Sequence, residues 1–195
     1  MPLRNLAVFC ASASGVNPAY AEAAANLGRQ LAARKIGLIY GGSNVGLMHA
    51  VAQATLDAGG DVVGVIPEVL VDKEIAHHGV TELHVVDTMH TRKALMSDRA
   101  DAFLVLPGGF GTMEEMFEVL AWQTIGLHTK PILLLNLLGF YDHLLRFLDH
   151  AVDEGMLRRE GRRILLTATT VEDALAQLGG EAHVDATSAP AGASI

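Results

Sequence analysis

Cysteine is nearly missing from this chain: Cys10 is the only one. No disulfide can form within it, so stability must come from a packed core, and the composition fits a reducing compartment. Lysine is scarce too, limited to Lys35, Lys73, Lys93 and Lys130. Acidic residues exceed basic ones, giving a formal net charge of −8. That balance argues against a nucleic-acid backbone or an anionic membrane as the main partner. It leaves room for a small anion held by local N–H groups and arginines. No apolar run is long enough to span a bilayer, and the longest, starting at residues 132–135, is broken by Asn136. No N-terminal signal pattern is present, so a cytoplasmic protein is expected. The histidines lack metal-site spacing: His77 and His78 are adjacent, and no H-E-x-x-H pattern exists. No G-x-S-x-G elbow marks a serine nucleophile, and no lysine sits in a Schiff-base context.

What is present is apolar. Half of the 195 residues are hydrophobic, enough to bury one sizeable core. Short continuous apolar runs at 6–10, 36–40, 62–66, 83–86, 102–106, 132–135 and 164–167 read as strands. Helical patterns lie between them, from 17–18 onward and over 47–58, 89–99, 113–125, 141–154 and 171–178. Asn17 reads as an N-cap with Pro18 in the first helical position. Residues 69–79 read as loop with room for a helical turn, and the arginines at 158, 159, 162 and 163 as a solvated basic loop. Strands that are apolar throughout and alternate with helices predict a single doubly wound α/β domain, with a mainly parallel sheet and helices on both faces. The domain is expected over residues 1–179. The Gly, Ala, Ser and Pro-rich residues 180–195 are expected to be a disordered tail.

In such a fold ligands bind at the carboxyl ends of strands. Three small-residue turns fall there, at 11–15, 41–46 and 107–112. The last, Pro107-Gly108-Gly109-Phe110-Gly111-Thr112, runs from strand to helix, where backbone N–H groups and a helix N-terminus face an anion together. It is not a dinucleotide fingerprint, because Glu114 stands where the third glycine belongs. Nor is 41–46 a P-loop, since Leu47-Met48 replaces the Lys-Ser/Thr pair. Two reduced cradles fit a monophosphate better than a triphosphate. Acidic residues follow the third turn directly, and a site that only binds phosphate has no need of them. Two readings of Glu115 stand at this level: a capping box with Thr112 as N-cap, or a catalytic carboxylate. Arg92 and Lys93 lie early in their helix, where cations oppose the macrodipole, so they read either as surface charge or as partners of an anion or carboxylate. The helix over 113–125 is apolar almost all round, which predicts a second buried side, at a dimer interface or beneath other parts of the same domain, with the dimer the expectation.

These residues resemble the LONELY GUY (LOG) family. Residues 107–115 match its PGGxGTxxE motif, Met89-His90-Thr91-Arg92-Lys93 its second motif, and Gly41-Gly42-Ser43-Asn44-Val45-Gly46-Leu47-Met48 its glycine-rich turn. The similarity runs over residues 6–178, with His49 the departure where many relatives carry glycine. The resemblance implies a Rossmann-like fold, a homodimer or higher oligomer, and a phosphoribohydrolase that splits N6-modified AMP into free base and ribose 5-phosphate. It implies Arg92 and Glu115 as the catalytic pair. Substrate contacts are implied for Glu74, Arg92, Lys93, Gly108, Gly109, Phe110, Gly111, Thr112, Met113, Glu114 and Thr124, and Gly42 and Ser43 are added from the second turn. No metal and no cofactor are expected. The substrates expected are AMP and N6-isopentenyl-AMP.

Residue chemistry and resemblance converge. A 5′-phosphate in the cradle brings the ribose within reach of Glu115, whose carboxylate stabilises an oxocarbenium-like ion or activates water or a ribose hydroxyl. Two alternatives remain open: a general nucleotide N-glycosidase in salvage, and a nucleotide-binding module without turnover. Met113, Met116, Trp122 and Leu127 offer apolar surface for the base, with core packing as their competing role.

Overall fold

Continuous apolar strands demand cover on both faces, and the computed structural model, which describes residues 3–74 and 76–179, shows it. Among the described residues, the strands β1 (Asn5–Phe9), β2 (Gly37–Tyr40), β3 (Val62–Pro67), β4 (Glu82–Val86), β5 (Ala102–Val105), β6 (Ile132–Leu135) and β7 (Leu165–Ala168) form one sheet. Its order is β4-β3-β2-β1-β5-β6-β7, and every neighbouring pair is parallel. The helices are α1 (Ala19–Ala33), α2 (Gly46–Asp57), α3 (Glu68–Glu74), α4 (Met89–Arg99), α5 (Phe110–Thr124), α6 (Asp142–Asp153), α7 (Arg159–Arg163) and α8 (Val171–Leu178). The expected tail, residues 180–195, lies outside the described residues.

The pleat divides the core in two. Leu6, Val8 and Cys10, with Leu104 and Leu106, face the side covered by α1, α2 and α8. Ala7 and Phe9, with Phe103 and Val105, face α4, α5 and α6. Alternate residues of one buried strand therefore serve two cores. The start of α1 is as the sequence predicts: Ala19 N–H donates to Asn17 Oδ1 at 3.0 Å, and Pro18 already has helical φ and ψ. α1 packs closely on α2 at Gly28, where a Cβ would collide with the Val51 carbonyl.

One expectation is refined and another corrected. The helical turn allowed within residues 69–79 is a short helix, α3 at Glu68–Glu74, with Glu68 in its first turn where a carboxylate complements the helix dipole. The basic stretch near residue 160 is not a solvated loop. It forms α7, for which arginine is a good helix former, and Arg162 Nε donates to Asp149 Oδ1 at 2.8 Å.

Strand order runs outward in both directions from the β1–β5 pair. Chain crossovers therefore leave in opposite directions there, opening a crevice beyond the carboxyl ends of the strands.

Candidate active site

The crevice holds a cleft of about 270 Å³ bordered by the ends of β1, β2 and β5 and by side chains from α4 and α5. Its floor is set by two turns that lock together. Gly46 has φ +59°, and a Cβ there would overlap the Ser12 carbonyl, so α2 can abut residues 12–13 only through glycine. Leu47 N–H donates to the Ala11 carbonyl at 3.1 Å, and Ala11 N–H to the Pro107 carbonyl at 3.2 Å. The three small-residue turns are thus joined by backbone bonds.

The cap differs from the sequence reading. α5 begins at Phe110 with Gly109 as N-cap, and Met113 N–H is the donor that reaches the Gly109 carbonyl, at 3.0 Å. Thr112 is inside the first turn and buried, and its side chain fills the place where a Gly108 Cβ would be. The capping box is therefore absent: Glu115 lies too deep in α5 to cap it. The early N–H groups of α5 have no intrahelical partner, which leaves Phe110, Gly111 and Thr112 to offer theirs at the cleft. Gly111 and Glu115 are four residues apart, so donors and carboxylate share one face about 6 Å apart along the axis.

Glu115 is buried and faces Arg92 across the cleft, Oε1 to Nη1 at 3.5 Å. Arg92 is 6% exposed, which excludes the surface-charge reading. Its Nε donates to the Val65 carbonyl at 3.0 Å and its Nη2 to the Gly41 carbonyl at 3.2 Å, so the ends of β3 and β2 fix the guanidinium. Gly41 has to be glycine, because a Cβ there would collide with Arg92 Nη2. Cys10 lies beside the pair. Burial pushes its thiol well up, and the Glu115 charge adds to that, so it stays protonated.

Lys93 points elsewhere. Its ammonium pairs with Glu114 and, at 3.0 Å, with Glu118. Burial works to lower its pKa, but the two carboxylates together hold it above the ordinary value. These contacts clamp α4 to α5 beside the Arg92–Glu115 pair. Glu118 is thereby tied to Lys93 and does not line the cleft.

Of the predicted site residues, Arg92, Gly109, Phe110, Gly111, Thr112 and Glu115 line the cleft, and Gly108, Met113, Glu114 and Lys93 do not. Gly42 and Ser43 turn away from it: the Gly42 carbonyl accepts His77 N–H at 2.9 Å, and Ser43 bridges to Ala76. Thr124 ends α5, nine residues and about 13 Å past Glu115, with Oγ1 donating to the Leu120 carbonyl. Glu74 closes α3, and its side chain lies outside the described residues. Met116 is core, and Met113 and Trp122 pack against it, while Leu127 is exposed. His49 does not crowd its turn; its Nδ1 bonds Asn44 Oδ1 at 2.6 Å. Cys10 lines the cleft without having been singled out for it, and Gly41, known only as part of a glycine-rich turn, matters through the room it leaves for Arg92. Among the described residues, no group of His, Cys, Asp and Glu converges to hold a metal ion, and no lysine lines the cleft.

A family model described as "Possible lysine decarboxylase" matches residues 48–178. The chain is 47% identical over 175 residues to the cytokinin riboside 5′-monophosphate phosphoribohydrolase LOG7 of Arabidopsis thaliana, covering 90% of this chain and 81% of that one. It is 48% identical over 176 residues to the cytokinin riboside 5′-monophosphate phosphoribohydrolase of Rhodococcoides fascians, covering 90% and 89%. Among solved structures, the molybdenum cofactor carrier protein of Chlamydomonas reinhardtii superimposes with a TM-score of 0.67 at 21% identity, covering 90% of this chain and 96% of that one. The molybdenum cofactor binding protein of Rippkaea orientalis gives 0.68 at 20% identity, covering 93% and 98%. At such identity these two structures share the fold. The identity to phosphoribohydrolases over nearly the whole length, together with the three matching motifs, places this chain in the LONELY GUY (LOG) family.

Proposed function

We propose that this protein hydrolyses the N-glycosidic bond of N6-modified adenosine 5′-monophosphate, releasing the free base and ribose 5-phosphate. The observation that carries the proposal is the buried Arg92–Glu115 pair, set just inside a helix whose N-terminus opens onto the same cleft. The relatives named above are phosphoribohydrolases of cytokinin riboside 5′-monophosphates, which supports the same reaction here.

The 5′-phosphate lies at the N-terminus of α5, received by the N–H groups of residues 110–112. The ribose then falls beside Glu115. As the bond between C1′ and the base nitrogen breaks, positive charge grows on the ribose and the carboxylate stabilises it. The C1′–N bond breaks and the water oxygen bonds C1′. The proton the water gives up, relayed by Glu115 or a ribose hydroxyl, ends on the departing base nitrogen, so hydroxyl and proton together complete ribose 5-phosphate and free base. Arg92 faces the Glu115 carboxylate and holds it on its face of the cleft. Phosphate binding orients the sugar, so binding energy remote from the reacting bond lowers the barrier. The word decarboxylase in the family description has no support from a lysine at the cleft.

Chromatographic quantification of free base and ribose 5-phosphate from AMP and N6-isopentenyl-AMP, without added metal, tests the reaction. Adenosine is expected to react with kcat/KM lower than that of AMP by about 10²-fold or more. Equal rates on the two would remove the phosphate cradle from the argument. Binding without product release would leave a nucleotide-binding module.

The protein is further proposed to act as a homodimer. α5 turns an apolar side outward, where Phe117, Leu120, Ala121 and Thr124 border a hollow with Leu148 and Leu157. Phe147 and Met156 are also exposed on the nearby α6 and the turn that follows it. A patch of this kind is costly to leave in water. Thr124 is too far along α5 to reach the cleft of its own chain, so a substrate contact from it requires a second copy. Phe117→Glu is expected to shift the protein from dimer to monomer by light scattering; an unchanged mass would place the interface elsewhere.

A further inference from the structure

We infer that Tyr141 is a positioning residue for the phosphate loop, its hydroxyl holding the Leu106 carbonyl at the root of the loop so that the N–H groups of 110–112 stay aimed into the cleft. The inference rests on the proposed reading that a 5′-phosphate binds there.

The backbone makes the need plain. β5 pairs with β6 only as far as Val105 and Leu134, after which β6 turns toward β7, with Asn136 N–H donating to the Ala168 carbonyl at 2.8 Å. On its other side, Leu106 N–H donates to the Phe9 carbonyl at 2.9 Å. The Leu106 carbonyl is left facing the gap between the diverging strands, just where the chain becomes the glycine loop. A buried carbonyl without a donor is costly. Tyr141 is 3% exposed and fills the gap, donating its O–H to that carbonyl at 2.7 Å. The Gly108 backbone acts on the phenol in the opposite sense to burial, lowering its pKa where burial raises it. The hydroxyl thus secures the chain at Leu106, one residue before Pro107. Tyr141 is itself pinned: its N–H donates to Asn136 Oδ1 at 2.7 Å, Asn136 Nδ2 donates to Asp142 Oδ1 at 2.8 Å, and Phe140 meets its ring edge-on at 4.8 Å. The fixed turn after β6 is thereby transmitted to the loop after β5. Burial keeps the phenol protonated, so it donates at every working pH.

Tyr141→Phe retains the ring and removes only the hydroxyl. Its affinity for ribose 5-phosphate by calorimetry is expected to fall about tenfold, the usual cost of one lost buried hydrogen bond. Inhibition by adenine should not change, since the base lies away from the loop. Amide exchange of the peptide covering 106–112 should quicken while the sheet stays protected. Unchanged ribose 5-phosphate affinity with a lowered melting temperature would make Tyr141 an ordinary core residue and overturn the inference. If the wild-type protein hydrolyses AMP and the variant matches it, the inference fails while the proposed function stands. If the wild-type protein does not bind ribose 5-phosphate, both fall. Should the variant not fold, Asn136→Ala releases the Tyr141 backbone with its hydroxyl intact; it is expected to weaken ribose 5-phosphate in the same sense, and an unaltered affinity overturns the inference.

Discussion

Glu115→Gln is expected to lower kcat on AMP by about 10³-fold while leaving AMP affinity within about threefold of wild type. The substitution keeps size and shape and removes the negative charge. In the ground state that charge faces Arg92, which retains the Val65 and Gly41 carbonyls and so remains in place. The N–H groups at the start of α5 belong to the backbone and are unaffected. Phosphate binding should therefore survive. The transition state is different, because positive charge on the ribose then has no anionic partner, and stabilisation made only in the transition state appears in kcat. Breaking one half of a buried ion pair also costs stability, so thermal unfolding of the variant is measured alongside turnover. Steady-state kinetics with calorimetric AMP binding decides the matter. Near-normal turnover would reduce Glu115 to a structural partner of Arg92. Loss of binding together with turnover would mean that the carboxylate shapes the cleft rather than acting in it.

The two readings of Glu115 show how far sequence reaches here. Local pattern placed a threonine three residues before a glutamate at the start of a helix, which is a capping box in most proteins. The pattern cannot tell that Gly109 already caps the helix, because a glycine cap leaves no side-chain signature. Fold class was legible for the opposite reason. Runs such as Leu133-Leu134-Leu135 can only be strands covered on both sides, and the parallel sheet follows. The motifs located Arg92 and Glu115, but their meeting depends on α4 and α5 lying side by side, which no spacing along the chain encodes. The same holds for Lys93. Sequence left it a surface charge or a partner of an anion or a carboxylate, and one step around the helix from Arg92 sets its ammonium on two carboxylates, Glu114 and Glu118. Thr124 shows the remaining limit, since a residue at the far end of α5 can contribute to a cleft only through an assembly that a single chain does not display.

Gly41→Ala is expected to reduce kcat/KM for AMP by about 10²-fold, although Gly41 carries no functional group. Its effect runs wholly through Arg92. A methyl group at this position falls on Arg92 Nη2 and also crowds Met48 Sδ at 3.0 Å, so the guanidinium must leave its seat. Leaving breaks the bond to the Gly41 carbonyl and carries Nη1 away from Glu115. The sheet has less at stake. β2 ends at Tyr40, and its register with β3 runs from Leu38 to Tyr40, so Gly41 lies past the ladder. Overpacking of one methyl costs about 1–3 kcal/mol, a loss that a folded domain can absorb. Activity should therefore fall far more than stability. The double-mutant cycle isolates the route: Arg92→Ala removes the group that the methyl displaces, so Gly41→Ala added to it should do little further harm. Wild-type activity in Gly41→Ala would show that Arg92 functions from another position. Multiplied losses in the double variant would show that Gly41 serves the cleft independently, through the backbone approach it allows rather than through the arginine it seats.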